Sequence, residues 1–403
     1  MLFFIRQCVA TSRAPLLSLP RRLAISFSMV GSIMLVVCVL CGFLAMAQGF
    51  ENALKSAGSN QIAVILGGGT NSEANSDLSA DTVRNIMALS GDIGVLRNEA
   101  GIPILSREII APVQYRVEST TTAGDMLALR GMDPSGPSLR DDINLSAGRV
   151  FTPGSREIMV GDQLAATYPG FAIGNKVQLG PVTWSIVGHI SAHGSVFESE
   201  IWGDLDAVRA AFDRPGAIQS LRLRLEAPQD QALSKLQAAV VDLSPSPLTI
   251  VTEAALYADQ AAGTTRLIRL FGWPVALLMA IGASAGALNT MMSSLADRTV
   301  EIATFRALGF NRISAFLATW LEAVLLAILG VALGLGASWL VFNGWQASTL
   351  GANNARMAFQ LVVNDEVITK AGLVGLLIGA IGGALPALAA ARLPITKALR
   401  ARG

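Results

Sequence analysis

Four apolar runs, each nearly or wholly free of charge, alternate with polar segments along the chain. A helix needs about 20 apolar residues to cross a bilayer, and all four runs reach that length: Leu23–Ala47, Leu270–Ala296, Ile313–Trp345 and Ala371–Ala391. Glu322 is the single charged residue within them. The hydrophobic pattern therefore predicts a membrane protein with four transmembrane helices.

A long segment of mixed polarity separates the first two runs. Short stretches rich in β-branched residues and bounded by Gly, Pro or Asn predict strands at Gln61–Leu66, Ile102–Leu105, Met126–Arg130, Glu157–Val160, Lys176–Leu179, Thr183–Ile190 and Ser220–Leu225. Helical periodicity marks Ala80–Leu89, Leu205–Phe212 and Gln229–Leu243. The segment is long enough for its own core, so we expect a large α+β domain between the first and second membrane helices.

The stretch Thr252–Arg269 contains no strong helix breaker beyond Gly263 and continues directly into the second apolar run. It predicts a helix that extends beyond the membrane, as a stalk between the domain and the bilayer.

Composition agrees with a membrane protein, since 52% of the 403 residues are hydrophobic and only 15% are charged, against about 25% charged in soluble domains. The three cysteines are Cys8, Cys38 and Cys41. None lies in the large domain, which excludes a disulfide framework there. No G-x-x-x-x-G-K-[ST] motif occurs in the chain, which excludes ATP binding by a P-loop on this sequence.

The positions of Lys and Arg predict the orientation, because cytoplasmic loops are enriched in them. Basic residues cluster before the first run, between the second and third, and after the fourth: Arg6, Arg13, Arg21, Arg22, Arg298, Arg306, Arg312, Arg392, Lys397, Arg400 and Arg402. Both termini are therefore expected in the cytoplasm and the large domain outside. A cleaved signal peptide ending at Ala47 is the alternative for the first run, but its apolar stretch is longer than the 7–15 residues typical of such signals.

Small residues recur every fourth position in the last two runs, at Gly330 and Gly334 and at Gly375, Gly379 and Gly383. Such spacing lets helix backbones approach closely. The pattern fits packing within one chain and subunit dimerisation equally well.

The two histidines, His189 and His193, are four residues apart, a spacing that suits two metal ligands on one helix face. Their surroundings instead resemble a strand end that enters a turn, which would direct the imidazoles apart. No metal ligand is therefore assigned.

Glu322 has two interpretations, because a carboxylate within a membrane helix is costly. It is a functional gating or proton-relay group, or it lies near the interface, paired with a neighbouring arginine or capping a loop. The second is favoured, since proton paths usually need more than one such group.

A compact charged stretch, LADRTVEIATFRALGFNRISAFL at 295–317, separates the second run from the third and keeps apolar residues at helical spacing. It resembles the E-R-x-x-E-I-x-x-x-R-A-L-G-x-x-R loop of FtsX/MacB-type permeases of ABC transporters, the segment that docks into a separate ATPase subunit in that family. The residues that correspond to this coupling segment are Asp297, which replaces the first acid, Arg298, Glu301, Ile302, Phe305, Arg306, Ala307, Leu308, Gly309 and Arg312.

The resemblance implies a division of labour in this segment. Ile302, Phe305 and Leu308 would fill a groove on the ATPase, and charged residues would fix the register at the rim. Those charged residues are Arg298, Glu301 and Arg306.

Other parts of the chain resemble the same family in the family's order. The stretch from Trp320 to Gly330 is similar to its third membrane helix and includes its Glu. Segments around Arg130–Pro134 and Ala147–Phe151 are similar to MacB-type periplasmic core segments. The C-terminal end is similar to a G-x-x-P-A…P-x-x-A-L-R signature, with one extra residue; its tail residues are Pro394, Ala398, Leu399 and Arg400.

The hydrophobic pattern and the resemblance together predict nine segments. They are a cytoplasmic elbow 1–22, a first span 23–47, a periplasmic MacB-like core domain with stalk 48–265, a second span 266–296, the coupling segment 297–312, a third span 313–345, a short periplasmic loop 346–370, a fourth span 371–391 and a cytoplasmic tail 392–403. Residues 266–403 would form the FtsX-like permease domain.

The resemblance implies a permease subunit of the bacterial inner membrane with no catalytic residue, metal or cofactor of its own, since ATP–Mg would bind the partner. MacB carries a fused ATPase domain before its first span, and this sequence resembles stand-alone permeases such as LolC and LolE. The expected partners are an ABC ATPase dimer, a second identical or related permease, a periplasmic adaptor and membrane lipid, with no nucleic acid.

Three outputs remain open at this point. The first is export of a small molecule, peptide or lipid, the second is extraction of lipoproteins, and the third is FtsX-like regulation of a cell-wall hydrolase without transport. The large domain, at about 215 residues, favours the first two.

Overall fold

The computed structural model describes residues 23–116, 124–241, 243, 246–309, 311–351 and 355–393. Its contacts divide into two units. Of the described residues, those up to Gln48, those in Leu267–Trp345 and those from Leu361 onwards form a helical unit, and those in Gly49–Arg266 and Gln346–Gln360 form a sheet domain.

The described helices are α1 (Leu23–Lys55), α2 (Ala80–Ala88), α3 (Gly136–Leu139), α4 (Asp162–Thr167), α5 (Leu205–Ala211), α6 (Gln229–Val240), α7 (Glu253–Asp297), α8 (Thr299–Ala307), α9 (Arg312–Phe342) and α10 (Asp365–Arg392). The described strands are β1 (Ile62–Gly67), β2 (Leu105–Tyr115), β3 (Asp125–Met132), β4 (Asn144–Gly148), β5 (Glu157–Gly161), β6 (Lys176–Leu179), β7 (Val182–Ser191), β8 (Glu200–Asp204), β9 (Ser220–Arg224), β10 (Leu248–Thr252), β11 (Gln346–Leu350) and β12 (Arg356–Gln360).

Four of these helices, α1, α7, α9 and α10, are long and apolar enough to cross a membrane. Three of them, α1, α7 and α10, are longer than the apolar runs, because a helix continues through polar residues that a hydropathy pattern does not count, whereas α9 ends at Phe342, before the predicted end at Trp345. The largest extension is in α7, where one helix of 45 residues joins the predicted stalk and the predicted second span. The prediction that Thr252–Arg269 is helical and continuous with that span is confirmed.

Ten strands of the sheet domain form one mixed sheet in the order β10-β1-β9-β2-β3-β8-β5-β7-β4, with β6 on β7. An apolar cluster packs α4 and α5 against the β3–β7 half of the sheet. A second cluster packs α2 and α6 against β1 and β9. The predicted α+β character of the domain is therefore confirmed as one sheet with helices on it.

One strand prediction needs correction, and three strands of the sheet were not predicted. The strand placed at Ile102–Leu105 begins only at Leu105 and runs on to Tyr115, past Pro112, which lacks the N–H that a central strand donates. Pro112 is tolerated because β9 pairs only with the first residues of β2, so β3 is the one neighbouring strand that the described residues provide at Pro112. The strands β4, β8 and β10 were not predicted.

The segment 346–370, predicted as a short loop, is more ordered than that. It contains the antiparallel hairpin of β11 and β12, and α10 already begins at Asp365. The hairpin was missed because its strands contain few β-branched residues.

The recurring glycines of α9 and α10 lie where helices of the same chain meet. A Cβ at Gly379 would lie 2.1 Å from the Cβ of Ala327, and a Cβ at Gly383 would lie 2.3 Å from that of Ala323. Gly334 faces Val37 of α1 in the same way. Of the two interpretations of this spacing, the structure supports packing within one chain.

Replacing Gly379 by alanine should destabilise the helical unit, because the added methyl group overlaps Ala327 and overpacking typically costs about 1–3 kcal/mol. Thermal unfolding of the detergent-solubilised chain measures this loss. The matched control is Gly336→Ala in α9, where the described residues place no atom within 4 Å of the new Cβ. The control should be neutral or slightly stabilising, since alanine is the better helix former; equal melting of the two variants would contradict the packing role.

Candidate functional site

The predicted coupling segment forms a short helix between two long ones. After α7 ends at Asp297, α8 spans Thr299–Ala307, and a turn at Leu308 and Gly309 leads to α9. The N–H of Gly309 donates to the carbonyl of Arg306 at 3.1 Å, and Gly309 has φ +95°, a backbone region that favours glycine. Asn311 caps the start of α9. The glycine and the cap together explain why α8 ends and α9 begins here.

One side of this segment is exposed. Leu308 is 72% exposed and Ile313, one residue into α9, is 53% exposed. Glu301, Ala307, Gly309 and Arg312 are also exposed, Ile302 is half-buried, and Ala303 is buried. Large exposed apolar side chains beside charges are typical of a contact surface.

Arg298 does not belong to that surface. Its Nη1 donates to Glu322 Oε2 at 2.8 Å, and both residues are buried. The expectation that Arg298 sits at the rim of a partner interface is therefore wrong: the guanidinium turns inward and pairs with a buried carboxylate, as buried charges require. The structure supports the second interpretation of Glu322, in which a neighbouring arginine pairs with it.

Arg306 is half-buried, and its guanidinium donates to the carbonyl oxygen of Leu393, directly after α10. This bond joins α8 to the last described residue of the chain. The side chains of Asp297 and Phe305, and the predicted tail residues Pro394, Ala398, Leu399 and Arg400, lie outside the described part of the structure.

Breaking the Arg298–Glu322 pair should destabilise the helical unit more than removing it entirely. Removal of one partner of a buried pair typically costs about 3–5 kcal/mol, since the remaining charge loses the group that compensates its burial. We expect Glu322→Gln and Arg298→Met each to lower the unfolding temperature strongly and the double variant to lower it by less than either single variant. Additive effects in this double-mutant cycle would show that the two groups do not interact.

A second cluster of charges lies within the sheet domain, and its members are almost completely buried. It combines four carboxylates and three guanidinium groups: Glu73, Glu108, Glu200, Glu253, Arg130, Arg140 and Arg222. Buried charges require partners, and every member of this network forms at least one ion pair.

The carboxylate of Glu108 is the centre of the network. Its Oε2 accepts from Arg222 at 2.6 Å, Arg130 at 2.9 Å and Arg140 at 3.0 Å. Charge-assisted bonds of this length are the strong ones. Arg130 also donates to both oxygens of Glu200, each at 2.7 Å.

The network lies on one face of four adjacent strands, β9, β2, β3 and β8. Arg222 pairs in register with Ser106, and Arg130 pairs with Trp202. Alternate residues of a strand point to opposite faces, so the residues between these charges, such as Leu221 and Leu129, point into the apolar clusters on the other side. Both faces of this part of the sheet are therefore buried, one against apolar groups and one against charges.

Burial and charge act in opposite directions on these carboxyl groups. Burial raises the pKa of Glu108, but the guanidinium groups of Arg140, Arg222 and Arg130 outweigh it and lower the pKa to about 2. Burial likewise raises the pKa of Glu73, whereas Arg130 and Arg222 hold it well below its usual range. Both groups are therefore ionised at neutral pH.

The depressed pKa of Glu108 makes its contribution to stability dependent on pH. A carboxyl group with a lowered pKa stabilises the fold fully above its ordinary value near 4.5, and this contribution is lost as the pH falls towards about 2. We expect Glu108→Gln to unfold at a lower temperature than the native chain at pH 6, with the difference closing below pH 4.5. Glu99→Gln, in an exposed turn, is the control; a difference for Glu108→Gln that stays constant down to pH 2 would contradict the electrostatic origin.

The sequence analysis did not identify this network. Strands with alternating charges, as in Ser220–Arg224, normally indicate a sheet face in contact with water. The sequence did contain a signal for this network, because charged residues, both acidic and basic, occupy alternate positions of several strands.

His189 and His193 lie in different local structures, as predicted, because the strand β7 ends between them. His189 lies in β7 with its Nε2 at 2.8 Å from the carbonyl oxygen of Phe171, and His193 follows the strand with φ +52°. Among the residues that the structure describes, no group of three or more His, Cys, Asp or Glu side chains is arranged to hold a metal ion.

Four candidate membrane helices and a large mixed-sheet domain define a multi-pass membrane protein with a substantial folded domain outside its apolar helices. Family models match both parts. The MacB-like periplasmic core domain matches residues 26–243, more than half of the chain, and the FtsX-like permease C-terminal domain matches residues 274–395. The chain belongs to the FtsX/MacB-like family of ABC transporter permeases, and the resemblance seen in the sequence is confirmed.

Individual relatives agree with the family assignment. The macrolide export ATP-binding/permease protein MacB 2 of Aeromonas hydrophila is 25% identical over 94% of this chain and 59% of its own length. MacB of Shewanella oneidensis is 24% identical over 98% of this chain and 60% of its own length. The chain thus spans about 60% of the length of these curated relatives. The crystal structure of the periplasmic region of MacB from Actinobacillus actinomycetemcomitans aligns with 50% of this chain and 93% of its own, at 10% identity and a TM-score of 0.36.

Proposed function

We propose that this chain is the permease subunit of an inner-membrane ABC transporter and that it couples ATP hydrolysis on a separate ATPase to movement of its sheet domain. The chain itself supplies no catalytic group; ATP–Mg binds the partner. Both termini and α8 face the cytoplasm, where the arginines of the first, third and last polar segments collect. The sheet domain faces the periplasm.

One observation carries the proposal: the exposed surface formed by α8 and the turn after it. Leu308 is 72% exposed at the tip of the turn, and Glu301 and Arg312 lie exposed in the same segment. An apolar anchor within a charged rim is the arrangement that supports specific docking. The inward ion pair of Arg298 and the Arg306–Leu393 bond hold the docking helix to the neighbouring helices, so that force on α8 reaches them.

The helix α7 provides the route from this segment towards the sheet domain. At 1.5 Å per residue, its 45 residues extend over roughly 68 Å, about twice the hydrocarbon thickness of a bilayer. One helix, continuous through Pro274, connects this segment to the sheet domain. The proposed mechanism is therefore mechanical transmission, with two permeases above an ATPase dimer.

The proposed output is export of a small molecule, peptide or lipid, with a periplasmic adaptor completing the route. The names of the relatives, macrolide export proteins, support export. Lipoprotein extraction and control of a cell-wall hydrolase are the alternatives. A lipoprotein carrier or a hydrolase that co-purifies in place of an adaptor would identify them.

Replacing Leu308 by serine should weaken ATPase binding by at least tenfold, because truncating a central apolar anchor typically costs about 2 kcal/mol or more. The measurement is the stoichiometry of an ABC ATPase that co-purifies with the chain from native membranes in mild detergent. The membrane insertion of the variant should be unchanged, since Leu308 is mostly exposed.

Leu145→Ser is the matched control, as it makes the same change at a 44% exposed leucine of the sheet domain. It should retain the ATPase at native stoichiometry. If the native chain retained no ATPase, even with nucleotide and crosslinking, the proposed coupling would be wrong; if both variants retained it equally, Leu308 would not be the anchor.

A further inference from the structure

The first residue of α7 inserts its side chain into the charged face of the sheet. Glu253 is 1% exposed, and its Oε1 accepts from Arg222 Nε at 3.0 Å and lies 3.5 Å from Arg140 Nε. Arg222 in turn binds Glu73 and Glu108. Glu253 thus connects the beginning of the helix to the centre of the buried network.

The next turns of α7 are also bound within the sheet domain. The ring of Tyr257 packs edge-on against Phe197 with centroids 5.7 Å apart. Asp259 accepts from the side chain of Asn71, and Gln260 donates to the backbone carbonyl of Asn71 at 3.1 Å. The contacts of Tyr257, Asp259 and Gln260 hold the helix from more than one side.

The backbone approaches closely at the same place. The N–H of Ala254 donates to the carbonyl of Ser59 at 3.2 Å, and a Cβ at Gly58 would lie 2.4 Å from the Cα of Ala254. There is therefore no room for the helix to slide past the segment that follows α1 without separating from it.

Net stability alone does not account for a charged attachment. Replacing a buried ion network by apolar side chains of similar volume is often neutral or stabilising, whereas removing one member is strongly destabilising. Apolar contacts are non-directional, but the bonds between Glu253 and the arginines are satisfied at only one position of the helix. The arrangement suits a joint that has to keep its geometry under load.

We infer that Glu253 is a positioning residue that locks the first turns of α7 to the sheet, so that the helix and the sheet domain move together. The contacts of Glu253 support the attachment itself, and the role of that attachment in movement rests on the proposed function. It assigns to the buried network the task of passing helix movement into β9 and β2, the strands that carry Arg222 and Glu108.

Hydrogen–deuterium exchange on the full chain in lipid nanodiscs tests the joint without any ATPase. The variant is Glu253→Gln, which keeps the shape and removes the charge. We expect amides of residues 254–262 to exchange roughly tenfold faster, because a bond to a charged group is weakened, while the amides of Leu221 and Leu223 in β9 keep their native rates.

Glu99→Gln is the matched control, since it makes the same change from a carboxylate to an amide at an exposed turn of the same domain. It should leave exchange in α7 close to native. A uniform acceleration across the whole sheet would show that Glu253 only stabilises the domain, and no acceleration in 254–262 would show that it does not hold the helix. Either result overturns the inference.

If Glu253→Gln does not fold, Glu253→Asp replaces it, because it keeps the charge and withdraws it by one methylene group. The same local acceleration is expected, and its absence in the folded variant overturns the inference.

A second arm connects the joint to coupling. In the native complex with its ATPase, nucleotide should change exchange both in α8 and in β9; in Glu253→Gln the change in α8 should persist and the change in β9 should disappear. A nucleotide-dependent change in β9 that survives in the variant overturns the inference. The absence of any change in α8 of the native complex would instead refute the proposed function, so the two failures are distinguishable.

Discussion

The charged face of the sheet imposes the main constraint on the sheet domain. Arg130 and Arg222 have no exposed surface, and a guanidinium group in this position is tolerated only with carboxylates around it. Those carboxylates come from separate parts of the chain: Glu73 from the turn after β1, Glu108 from β2, Glu200 from β8 and Glu253 from α7. The network therefore requires that these elements assemble together, and it ties the start of the longest helix to the sheet.

The same constraint recurs at the other end of that helix. Arg298 follows the last residue of α7 and is buried against Glu322, as Glu253 is buried against Arg222. Each pair fixes one terminus of α7 within its own unit. Between the two termini, Leu270, Leu278 and Ile281 are each at least 60% exposed, as suits side chains that meet lipid tails. Directional contacts therefore hold each end of α7, and non-directional contacts surround the part between them.

The parts of the fold that sequence analysis predicted depend on local pattern. The four spans follow from apolar runs, the stalk follows from the absence of strong breakers before Leu270 beyond Gly263, and Gly309 belongs to a motif that the family resemblance identified. The buried network depends on non-local pairing, because Arg222 and Glu108 meet only when β9 and β2 are neighbours. The inward direction of Arg298 was missed for the same reason: Arg298 was placed at the rim of the ATPase interface, and its partner Glu322 lies 24 residues further along the chain, inside α9.

The effect of replacing a charged residue in this chain depends on whether the charge is buried in a pair or exposed. A buried charge pair contributes little net stability but permits few alternative positions, so loss of one partner both destabilises the fold and releases the geometry that the pair fixed. Exposed charges such as Glu301 and Arg312 act in the opposite way, because solvent screens them in the free chain and they gain strength only when a partner excludes water. Under the proposed function, substitutions at Glu301 and Arg312 should therefore affect recruitment of the ATPase. Substitutions at Glu253 and Arg298 should leave recruitment possible and uncouple it from movement of the sheet domain.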